Sequence, residues 1–138
     1  MGERGTSVVA ALIEQADADL TTSALTTLEL RSAINRLAST RQISQAAAEQ
    51  AIQQCEAALA SFTLLDLSAE VIARAQRLVT SNQLRTLDAL QCATAILAQQ
   101  AAAPDVAVVF VAADRKLLAA AQANGLDILN PEDADAVE

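Results

Sequence analysis

The stretch Val106-Ala107-Val108-Val109-Phe110-Val111-Ala112-Ala113-Asp114-Arg115-Lys116-Leu117 begins with eight consecutive apolar residues, of which Val106 to Val111 read as a strand, and an aspartate follows just before a helical pattern starts. A short apolar run of this kind, following the break at Pro104, is the pattern of a parallel strand covered on both faces. Downstream, Leu117 to Asn124 reads as a helix that closes at Gly125 in the C′ position. Asp127 to Leu129 then reads as another strand. Strand, helix and strand in succession indicate an α/β chain.

Working back towards the N-terminus, the same alternation continues. Leu20 to Ser23 and Phe62 to Leu65 are short β-favouring runs. Thr26 to Ser39 is a helix with Leu28, Leu30, Ala33, Ile34 and Leu37 on one face. Ser44 caps a helix to about Ala60 whose inward residues are Ala47, Ala51, Ile52, Cys55 and Leu59, so the two helices form a hairpin. Ser68 opens a helix to about Asn82 with Val71, Ile72, Ala75 and Leu78 in register. Thr86 caps a further helix, buried along Ala89, Leu90, Ala93, Ile96 and Leu97. Thr6 or Ser7 caps a first helix that ends near Gln15. The predicted architecture is a three-layer α/β/α with a short, mainly parallel sheet.

The 138 residues suit one domain, here read as 1–131, followed by a disordered acidic tail at 132–138. Apolar residues make up 53% of the chain, mainly Ala and Leu, which favours a helix-rich globular protein. The sequence has no bilayer-length apolar stretch and no basic-then-apolar leader, which suggests the cytoplasm. Cys55 and Cys92 fall in helical patterns without zinc-site spacing and read as reduced thiols. The net charge is −8, with Glu132, Asp133, Asp135 and Glu138 crowded into the last seven residues. A broad basic footprint for nucleic acid is absent, so RNA would need metal ions between phosphate and carboxylate, helped by local arginines.

Glu29, Asp88 and Asp114 recur where a β-favouring run hands over to a helix, in a chain without histidine. An open α/β sheet gathers such junctions at one edge, where carboxylates suit a hard divalent cation. Each acid also has an ordinary reading: Asp88 as a complement to a helix dipole, Asp114 as a helix cap, Glu29 as a solvated side chain. Arg31, Arg85 and Arg115 stand beside the acids and are candidate RNA contacts. Thr86 is a candidate support for the acidic cluster as well as a helix cap.

The segments Glu29-Leu-Arg-Ser-Ala, Thr86-Leu-Asp-Ala-Leu-Gln-Cys-Ala-Thr-Ala and Ala113-Asp-Arg-Lys-Leu, in this order, resemble PIN-domain proteins of the VapC toxin type. The resemblance extends from about residue 3 to Pro131. It implies a toxin–antitoxin ribonuclease that hydrolyses RNA with Mg²⁺ or Mn²⁺ to a 5′-phosphate and a 3′-hydroxyl. It assigns Glu29, Asp88 and Asp114 as three of the family's four metal-binding acids. It also implies a homodimer and a small antitoxin, with partner surfaces on the hairpin Thr26 to Ala60.

One departure stands against the family pattern. Family members open with a central strand reading roughly Leu-Asp-Thr-Ser-Ala-Leu, whose aspartate is the first ligand, followed by a helix and turn. Here Glu3-Arg-Gly-Thr matches that turn, so the central strand, its aspartate and the helix are expected to be missing, as in a shortened form of a longer protein. Asp19 is no substitute: it lies only ten residues before Glu29, ahead of what matches the family's second strand. The alternative expectation is a nuclease-inactive PIN-like interaction module.

Overall fold

Short strands alternate with longer helices in the computed structural model, which describes residue 11 and residues 19–133. The elements run β1 (Thr21–Ser23), α1 (Leu25–Ser39), α2 (Gln45–Leu59), β2 (Thr63–Leu65), α3 (Ala69–Asn82), α4 (Thr86–Ala101), β3 (Val109–Val111), α5 (Arg115–Ala123) and β4 (Asp127–Leu129). The chain is thus mostly helical with short parallel sheets, an α/β protein as its alternating pattern indicates. The helix placed near Thr6 to Gln15 lies outside the described residues except at Ala11.

The residues group into two compact units. One is Asp19–Leu67, and the other contains residues 68–133. In the first, β1 pairs in parallel with β2, Thr21 opposite Thr63 and Ser23 opposite Leu65, while α1 packs on α2. The sheet is extended at both ends by Thr63 N–H to Leu20 O at 2.8 Å and Ala24 N–H to Leu65 O at 2.8 Å. Ser44 starts α2 by accepting the Ala47 N–H on its hydroxyl, as its position before the apolar repeat predicts. Ile34 and Ala48 are its buried apolar residues.

The second unit holds a denser core. Val71, Ala75 and Leu78 of α3, Leu84 of the following connection, Ala89, Cys92, Ala93 and Ile96 of α4, Leu117, Ala120 and Ala121 of α5, and Leu126 form one buried cluster. Small residues dominate the helix faces in this cluster, which lets α3 and α4 approach closely and exclude water. Ser68 caps α3 by accepting the Val71 N–H. β3 pairs in parallel with β4, Val109 opposite Asp127 and Val111 opposite Leu129. Helix α5 ends in a Schellman motif: Leu126 N–H reaches Ala121 O, Gly125 N–H reaches Gln122 O, and Gly125 takes φ 91°, where a side chain would be strained.

Several expectations need correction. The strand expected over Val106 to Val111 contains only Val109 to Val111, because the Gln99 side chain captures the preceding backbone. Its Nε2 donates to Val106 O at 2.9 Å and its Oε1 accepts from Val108 N–H at 2.7 Å. Nor is the strand buried on both faces: Val109 is 50% exposed and Val111 41%. Among the described residues each sheet has two strands, so β3 is paired along one edge. Leu28, Leu37 and Ile72, expected inward, are exposed, and Ala48 rather than Ala47 is the buried alanine of α2. A stripe of five apolar residues is wider than the contact a single neighbouring helix offers, so its margins face solvent. Thr86 is not a cap: it is the first helical residue, preceded by Arg85 in an extended conformation without a side-chain capping bond.

Candidate active site

Glu29 lies in the second turn of α1 and is half-buried. The junction that delivers it is tied by short-range polar contacts. Ser23, 1% exposed, accepts the Leu25 N–H on its hydroxyl at 3.2 Å, and the Thr22 and Thr26 hydroxyls meet at 2.7 Å. Two residues beyond Glu29, Arg31 forms an ion pair with Glu56 of α2. No local pattern marks that pair, because it joins residues on two different helices.

In the second unit, Asp88 occupies the first turn of α4 and is half-buried. A carboxylate there complements the unpaired N–H groups of the helix start. Arg85 and Thr86, just before it, are both exposed. Asp114 stands three residues beyond β3 as the N-cap of α5 and is exposed. Its Oδ1 accepts from Lys116 N–H at 2.9 Å and Leu117 N–H at 3.1 Å, so the cap engages one carboxylate oxygen of two. The ordinary reading of Asp114 as a cap therefore describes its local structure, and a second role for the same carboxylate remains compatible with it. Arg115 reaches Asp133 at 3.5 Å, a partner eighteen residues away that no local pattern marks.

The thiols differ in setting. Cys92 is fully buried in the core of the second unit, and desolvation pushes its pKa up from 9.0 to about 11. Cys55 is half-buried between α1 and α2, beside Arg31 and Glu56. Both are free.

A model of the PIN domain family matches residues 2–123, most of the chain and all three candidate acids. The chain belongs to the PIN domain family. No curated protein and no solved structure matches the chain. Membership of this PIN domain family indicates a nuclease in coarse terms and a nucleic-acid substrate, and PIN nucleases generally use divalent metals. The donor chemistry of this PIN domain fits such an ion: Glu29, Asp88 and Asp114 offer hard carboxylate oxygens, and no imidazole competes to draw a softer metal. Among the described residues, no group of three or more acidic or thiol side chains converges as a metal site. No helix among them is long and apolar enough to cross a membrane.

Proposed function

We propose that this PIN domain is a metal-dependent endoribonuclease of a toxin–antitoxin system, with Glu29, Asp88 and Asp114 holding Mg²⁺ or Mn²⁺. When bound, such an ion supplies Lewis acidity and neutralises charge developing on the scissile phosphate. Asp88 and Asp114 contribute negative charge at the starts of α4 and α5. Arg31, Arg85 and Arg115 orient RNA by contacting phosphates, and the Thr86 hydroxyl supports the acids. The observation that carries the reading is the Asp114 cap, which uses Oδ1 alone and thereby fixes the carboxylate at a strand-to-helix junction without consuming it. The reading extends to a VapC-type toxin that works in the cytoplasm as a homodimer restrained by a small antitoxin. Support for those parts is the likeness of the three acidic segments.

The deciding experiment incubates labelled RNA with the purified chain and Mg²⁺ or Mn²⁺. Cleavage that EDTA stops and Asp88→Asn abolishes, at equal helicity, is the expected result. Unchanged cleavage by Asp88→Asn removes that residue from the site. A second reading, a nuclease-inactive PIN-like interaction module, assigns Asp114 to helix capping alone. Calorimetric titration with Mn²⁺ separates the two, since the inactive module binds no ion through these acids.

A further inference from the structure

The contact between Arg115 and Asp133 brings an acid from beyond β4 to the start of α5, next to Asp114. It is not a chance reach of a loose chain end. Pro131 is among the largest fully buried side chains, and the Asn130 Oδ1 accepts the Glu132 N–H at 3.0 Å. Anchored by the proline and turned by the asparagine, residues 131–133 are helical, and Asp133 Oδ1 lies 3.5 Å from an Arg115 guanidinium nitrogen. A carboxylate and a phosphate oxygen make the same charge-assisted contact with a guanidinium. An RNA phosphate that approaches this nitrogen of Arg115 therefore competes with Asp133 for it.

We infer that Asp133 is an internal competitor that occupies Arg115 in place of an RNA phosphate and so sets the threshold for RNA binding at this end of the molecule. The inference rests on the reading that Arg115 meets RNA. Both side chains are largely exposed, 83% and 61%, so the competitor is readily displaced and tunes affinity without abolishing it. It also makes affinity depend on salt in two opposing ways, since ions screen the internal pair as well as the RNA contact.

The test is fluorescence anisotropy of a labelled single-stranded oligoribonucleotide at low salt in EDTA, which prevents metal-dependent cleavage. Asp133→Asn is expected to tighten binding about two- to five-fold, the range set by an exposed pair. Arg115→Ala is expected to weaken binding, and adding Asp133→Asn to it should change nothing further. Glu49→Gln, which removes the same charge from α2, controls for net charge. Equal tightening by Glu49→Gln, or tightening that persists without Arg115, overturns the competitor role. If Arg115→Ala leaves RNA affinity unchanged, or if no chain binds, the reading of Arg115 as an RNA contact fails and the inference falls with it. Weakening by Arg115→Ala without any effect of Asp133→Asn overturns the inference alone.

Discussion

The two compact units share a plan but not a core. Each has one parallel strand pair, with two helices between the strands of the earlier unit and one, α5, between those of the later, and Glu29 in the one and Asp88 and Asp114 in the other stand at helix starts or in early turns. In the unit 68–133, twelve buried residues from three helices and two connecting segments form one cluster. In Asp19–Leu67, the buried residues are Ile34, Ala48 and Ser23, while Leu28 is 64% exposed and Leu64 and Leu67 are each 41% exposed. Since hydrophobic stabilisation scales with apolar area removed from water, the later unit contains most of its own driving force and the earlier one little. Identical strand pairing therefore does not make equal stability.

The largest effect expected bears on function. If both units serve one reaction, Glu29→Gln should abolish metal-dependent RNA cleavage as completely as Asp88→Asn. Cleavage that survives Glu29→Gln but not Asp88→Asn would confine the chemistry to the later unit. Next come core truncations, followed by urea denaturation. Ile96→Ala, at a position 3% exposed in the dense cluster, should cost about 3–4 kcal/mol, whereas Ile34→Ala, 9% exposed with few buried neighbours, should cost about 2 kcal/mol. Equal costs would erase the contrast in packing.

A smaller effect separates cap from ligand. Asp114→Ala should lower stability by about 1 kcal/mol through the lost cap, while Asp114→Asn, itself a good cap, should keep stability but weaken Mn²⁺ binding in calorimetry. Matching losses of Mn²⁺ binding and stability would leave Asp114 a structural residue only. The smallest effect concerns Cys92. Its folded pKa, about 11, lies above the ordinary 9.0, so the unfolded chain releases the proton first as pH rises. Stability from this group is fully present below pH 9 and falls between about pH 9 and 11, a slope that Cys92→Ala should flatten in thermal melts. At neutral pH, Cys92 should also resist alkylation longer than the half-buried Cys55.

What could be read from the sequence was what neighbouring residues decide. Ser44 and Ser68 cap their helices because each hydroxyl needs only an N–H three residues on, and Gly125 ends α5 because a left-handed residue is required there. Asp88 and Asp114 fall at helix starts for the same local reason. Val106 to Val108 left the strand because a residue seven to nine positions away took their hydrogen bonds. The exposed margins at Leu28 and Ile72 depend on how many elements pack around a helix, which periodicity does not count. The pairing of Arg31 with Glu56 and of Arg115 with Asp133 depends on tertiary approach in the same way.

The Gln99 bridge has a consequence for how the protein ages. One side-chain amide acts there as a peptide unit, donating to Val106 and accepting from Val108. Deamidation, which converts glutamine to glutamate, would keep the acceptor and turn the donor into a second oxygen facing the Val106 carbonyl. A single slow hydrolysis, invisible in the backbone, would thus unfasten the approach to β3 while Val109 to Val111 stay paired with β4.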